Sequence, residues 1–178
     1  TETDPLDFRA ANELYLIEKE SGNEEAANET LSKLSRKMRG FVQNYLELAA
    51  TYINDGFSAE AEEVLLRCPA ENPMVSYWLG WLSDLKGNKP AAGQYFLKAS
   101  AMSADFVFPF RPDDEKALLK ASEYAPTDAK PLYYLGNLLY DKQPARAISY
   151  WEKTVQLDPT MAIAWRNLGW GYNYHKND

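Results

Sequence analysis

Trp165-x-x-Leu168-Gly169-x-x-Tyr172 is the stretch that decides the fold. Its four marked positions follow i, i+3, i+4, i+7 spacing, which places them on one face of an α-helix. Just upstream stands Ala147-x-x-x-Trp151-x-x-Thr154, closed by Asp158-Pro159. That string reads as a second helix, with a small residue, an aromatic and another small residue one turn apart, and a proline where helix cannot continue.

The register recurs upstream. The Leu-Gly pair returns as Leu135-Gly136 and Leu79-Gly80, and as Leu48-Ala49 one step earlier. The helix after Gly80 carries Ala92, Phe96 and Ala99; the one after Ala49 carries Ala61, Leu65 and Cys68. A degenerate unit near the start offers Ala11, Leu14 and Tyr15, then Ala27, Leu31 and Leu34. Gly22, Gly56 and Gly87, which read as turns between paired helices, lie 34 and 31 residues apart.

Close packing explains the pattern. Antiparallel helices joined by a short turn approach only where one offers a small residue and the other a knob. Helices of this length are marginal alone in water, so they depend on stacking. The spacing predicts helices over 5–20, 23–39, 42–54, 58–67, 73–86, 89–102, 113–124, 128–141, 144–157 and 161–174. Asn23, Ser58 and Asp113 read as their caps, each followed by acids in the first turn.

Taken together, these strings resemble the tetratricopeptide repeat family, whose period is about 34 residues. The resemblance implies an all-α, right-handed superhelical solenoid of antiparallel helix pairs, forming one domain over 1–178. One repeat is irregular: from Gly80 to Gly136 the interval exceeds a repeat, and two prolines forbid helix in part of the surplus. An extended segment is therefore expected at 104–112, in place of a first helix, with Leu118 and Ala121 on second-helix positions. In this family the first helices line a concave face. Carried over position by position, the groove-facing residues are Tyr77, Trp81, Tyr133, Asn137, Tyr140, Arg166, Trp170, Asn173 and Tyr174. Aromatics among Asn and Arg suit a peptide, whose backbone amides need donors and acceptors. A terminal-carboxylate clamp is not expected, since the repeat before Asn137 and Arg166 offers Tyr77 and Trp81 but no cation.

A second resemblance is broader. Asp4-Pro5-Leu6-Asp7, Asn12-Glu13-Leu14, Phe108-Pro109-Phe110-Arg111 and Tyr134-Leu135-Gly136-Asn137-Leu138-Leu139-Tyr140 are similar to the repeat region of large uncharacterised bacterial proteins, where a β-sandwich domain of sugar-enzyme type accompanies the repeats. It implies an alternative role, as the accessory region of a carbohydrate-active or glycan-binding protein.

Composition narrows the function classes. The net charge is −7 and the densest basic run, Lys33 to Arg39, ends a helix, where cations suit the dipole. Nucleic acid and anionic membranes are poor partners for such a chain. One cysteine, Cys68, precludes an intramolecular disulfide and reads as an inert packed thiol. One histidine, His175, rules out a histidine-based triad or cluster. Glu62-Glu63 and Asp113-Asp114 read as solvated faces or caps. No catalytic residue, cofactor or metal site is expected. No feature of the sequence names a compartment.

The reading is a non-catalytic scaffold whose concave face binds a protein, a peptide or another domain of the same parent chain. Two expectations concern surfaces. The phenylalanines of Phe106–Pro112 should cover helix surface left bare by the missing helix. The last helix has no second helix after it, so the natural chain is expected to continue, and Trp170 and Tyr174 are expected to drive self-association.

Overall fold

The computed structural model describes residue 4 and residues 6–175. These form ten helices: α1 (Phe8–Glu20), α2 (Glu24–Met38), α3 (Val42–Asn54), α4 (Ser58–Leu66), α5 (Pro73–Leu85), α6 (Lys89–Ala101), α7 (Pro112–Tyr124), α8 (Ala129–Leu139), α9 (Pro144–Leu157) and α10 (Ala162–His175). No strand occurs among the described residues. The chain divides into two compact units, Thr1–Glu71 and Asn72–Asp178.

In the first unit α1 pairs with α2 and α3 with α4. Gly22 and Gly56 make the turns with φ of +77° and +86°, a left-handed conformation that glycine adopts at little steric cost. Ala49, Tyr52, Ala61 and Leu65 are buried between the helices. A polar network ties α1 to α3 and to the end of α4. The buried Asn12 amide donates to Tyr52 Oη at 2.7 Å and accepts from Arg67 at 2.6 Å. The guanidiniums of Arg9 and Arg67 lie over the rings of Tyr52 and Tyr15, 4.0 and 4.9 Å from the centroids. Burial pushes the Tyr52 hydroxyl up to about 12, so it stays a neutral partner.

In the second unit α5 pairs with α6 and α8 with α9, while α10 packs on α9. α7 stands outside the pairing: it packs on α5 and α8, with little contact to α6. Leu118 and Ala121 are buried in that packing. Trp78 of α5 donates its Nε1 to Asp114 Oδ1 at 2.8 Å, and Asp114 Oδ2 accepts from the backbone N–H groups of Phe110 and Arg111 at 2.8 and 2.9 Å. Asp113 and Asp114 are therefore buried and not a solvated face; Asp114 closes the start of α7 from inside the helix. The cap of α7 is at Arg111 rather than Asp113, and α4 starts at Ser58 behind Phe57, without a side-chain cap bond. Asn23 does cap α2, accepting from Ala26 N.

Residues 102–111 are not helical. Phe106 has a φ of +58°, rare for an aromatic residue, and from there side chains alternate. Val107 and Pro109 are buried, whereas Phe106, Phe108 and Phe110 are 90%, 76% and 52% exposed. The expectation that these phenylalanines cover helix surface is thus wrong. In extended chain only every second residue can face the core, and Val107 and Pro109 hold that parity.

Candidate functional site

The nine groove residues expected from the sequence separate into two sets. Tyr77, Trp81 and Tyr133 lie in the core of the second unit and present no open ring face. Tyr77 meets Tyr134 edge-on at 6.1 Å and Trp81 meets Trp78 edge-on at 6.2 Å. Lys116 of α7 reaches over the Trp81 ring at 5.7 Å. The reason is α7, which lies against α5 and α8 and covers what a regular repeat would leave open. The hydroxyls of Tyr77 and Tyr134 are buried without a hydrogen-bond partner, and burial raises the pKa of both well above that of a free tyrosine.

Asn137, Tyr140, Arg166 and Trp170 are brought together. With Asp141, Trp151 and Asn167 they line a cavity of about 260 Å³ between the end of α8, α9 and α10. Its walls are aromatic. Tyr140 stacks obliquely on Trp151 at 5.1 Å, and Trp170 on Tyr174 at 4.7 Å. Its polar groups form a short relay. Asn137 Oδ1 accepts from Trp151 Nε1 at 3.2 Å and from Asn167 Nδ2 at 2.9 Å, and Arg166 donates to Asn167 Oδ1 at 3.3 Å. Asn173 and Tyr174 are exposed on α10 beyond this lining.

Trp151, Asn167 and Asp141 escaped the sequence reading. Trp151 was read as packing, and it does pack: a Cβ placed on Gly136 would clash with its indole. That glycine draws the ring in, and the indole N–H then reaches Asn137. Asn167 precedes its Leu-Gly pair whereas Asn137 follows its own, so the repeat register does not pair the two.

The same rule holds at Gly80, whose added Cβ would lie 2.6–2.9 Å from the Phe96 ring. Small residue against aromatic knob, twice, in consecutive helix pairs is the geometry that the repeat spacing implies. The fold is an all-helical array whose antiparallel pairs pack as tetratricopeptide-like repeats do. No family model matches it, and no curated protein sequence does. Similar solved structures include the MamA protein, 22% identical over 93% of this chain and 81% of that one with a TM-score of 0.34. YrrB, described as a TPR protein with an unusual peptide-binding site, is 19% identical over 99% and 81%, with a TM-score of 0.36. The APC/C hetero-tetramer Cut9-Hcn1 is 17% identical over 94% and 37%, with a TM-score of 0.38.

The rest of the repeat chain offers no assembled chemistry among the described residues. No three His, Cys, Asp or Glu side chains come together as metal ligands there. Cys68 is half-buried, not fully so, and burial raises its thiol pKa, which disfavours the nucleophilic thiolate. His175 packs edge-on against Tyr140 at 5.3 Å. No described helix is long and apolar enough to cross a membrane.

Proposed function

We propose that this chain is a non-catalytic scaffold that binds a peptide or protein segment at the aromatic cavity between α8 and α10. The observation that carries the reading is the convergence of Tyr140, Trp151 and Trp170 with Arg166 and Asp141 around about 260 Å³. Ligand sites for whole small molecules run from about 300 to 1,000 Å³, so this cavity suits the anchor side chain of a longer ligand. Trp, Tyr and Arg are the residue types that dominate binding energy at protein interfaces. The Asn137–Asn167 relay fixes the floor and presents amides suited to a peptide backbone.

Selection of displayed random peptides on the whole chain tests this. Trp170→Ala and Arg166→Ala should each weaken a selected peptide by tenfold or more, about 1.4 kcal/mol. Peptides that bind both variants as they bind the wild type would overturn the reading. The exposed rings of Trp165, Trp170 and Tyr174 also allow a second copy, or another domain of the parent chain, as occupant. Sedimentation across a concentration series, with Trp170→Glu/Tyr174→Glu as comparison, decides whether the occupant is a second copy.

A further inference from the structure

The negative charge of this chain belongs to one unit. Residues up to Glu71 include 15 acidic and 7 basic side chains, a net of −8, while those from Asn72 onward include 11 and 12, a net of +1. Such a field gathers cations around the first unit only.

Within that unit a cavity of about 130 Å³ opens between α1 and the α3–α4 turn. Its α1 wall is Glu13, Leu16, Ile17 and Glu20, spaced i, i+3, i+4, i+7 along one helix face. Tyr52, Phe57 and Glu60 form the opposite wall. Ile17 is 62% exposed and Phe57 49%, so the apolar surface is open to a partner. Glu13 shares its charge with Arg9 at 2.7 Å, but Glu20 and Glu60 enter no ion pair among the described residues.

Apolar walls with carboxylates at the rim match one kind of side chain. Lys and Arg lay an aliphatic stem on apolar surface while the charged head meets acid. The volume is too small for a compact organic ligand, whose sites start near about 300 Å³, and suits a single long side chain. We propose that this cavity takes a lysine or arginine side chain carried on an amphipathic segment of a protein partner. The site is independent of the aromatic cavity between α8 and α10.

The probe is a short fluorescein-labelled amphipathic peptide of leucine and lysine, titrated against the whole chain by polarisation. Ile17→Ser/Phe57→Ser and Glu20→Gln/Glu60→Gln should each weaken binding by about tenfold. Glu24→Gln/Glu25→Gln removes the same charge from α2 residues that do not line the cavity, and should leave affinity within about twofold. Circular dichroism and melting curves confirm that each variant folds. Equal weakening by the α2 pair would mean diffuse attraction to net charge and would overturn the site. So would wild-type affinity in the Ile17/Phe57 variant, or competition by spermine that is indifferent to that substitution. Trp170→Ala should bind the peptide as wild type does; loss of binding there would place the peptide in the other cavity and would overturn the site.

Discussion

The two units build the same helix crossing from different residues. In the first, the register puts Ala49 on α3 and Leu65 on α4, both buried. In the second it puts Gly80 against Phe96 and Gly136 against Trp151. One methyl removed from the first helix makes room for a ring on the second. Volume is conserved across the crossing, as dense cores require. The exchange has a functional consequence. An aliphatic knob ends in methyl groups, whereas the Trp151 knob ends in an N–H that reaches Asn137 and forms a wall of the cavity. The second unit obtains an aromatic site from its packing; the first keeps an aliphatic knob, Leu65, at that crossing.

The largest effect should come from breaking that exchange. Gly80→Leu forces a branched side chain into the Phe96 ring and should cost about 3 kcal/mol in urea unfolding. The sharper form is a double-mutant cycle. Gly80→Ala places its Cβ against the ring, and Phe96→Leu leaves space unfilled; each alone destabilises. Together they recreate the first unit's Ala–Leu pairing and should recover part of the loss, with a coupling of about 0.5–3 kcal/mol. Strict additivity would show that glycine and ring do not compensate, and the comparison between units would fall.

The segment before α7 gives the next effect. Val107 and Phe108 are neighbours of opposite parity, one buried and one 76% exposed. Val107→Ser should destabilise by about 1–3 kcal/mol, whereas Phe108→Ser should stay within about 0.5 kcal/mol. Equal losses would mean that the phenylalanine face is covered after all. In the first unit only Arg39, Gly40 and Phe41 separate α2 from α3.

How much was legible from sequence follows the range of the interaction. The ten helices were, because helical period, proline and turn glycine are local signals: α3 at Val42–Asn54 and α9 at Pro144–Leu157 coincide with the expected spans. Four of the seven residues that line the α8–α10 cavity, Asn137, Tyr140, Arg166 and Trp170, were also legible, since they follow the first-helix register of adjacent repeats. Tyr77, Trp81 and Tyr133 were not. Register assigns a face on one helix, but whether that face is open depends on α7, whose packing on α5 and α8 is set by distant contacts. The parity of Phe106–Phe110 was illegible for another reason. Both parities are apolar there, so alternation could not choose which side meets the core.

The smallest effect is a pH dependence of opposite sign in the two units. In the first, Glu63 is partly buried, which works to raise its pKa; hydrogen bonds from Tyr15 Oη at 2.6 Å and Lys19 Nζ at 3.0 Å outweigh burial and hold the carboxyl below the ordinary glutamate range. The folded state then binds this proton less readily than the unfolded state. Its stabilisation is present above the ordinary glutamate value and is lost as pH falls through the folded value. In the second unit, burial of Asp114 wins over the hydrogen bonds from Arg111, Phe110 and Trp78 and raises its pKa. The folded state there keeps its proton where the unfolded state has lost it, so stability falls as pH rises from the ordinary aspartate value to the folded one. Urea unfolding of wild type and Glu63→Gln, across mildly to strongly acidic buffers, separates the two. The destabilisation by Glu63→Gln should be present near neutrality and shrink as pH falls, because the wild-type carboxylate is being protonated while the amide is not. A difference that stays constant with pH would mean that the Tyr15–Glu63–Lys19 contacts stabilise without regard to charge, and the contrast with Asp114 would then have to be sought in the second unit alone.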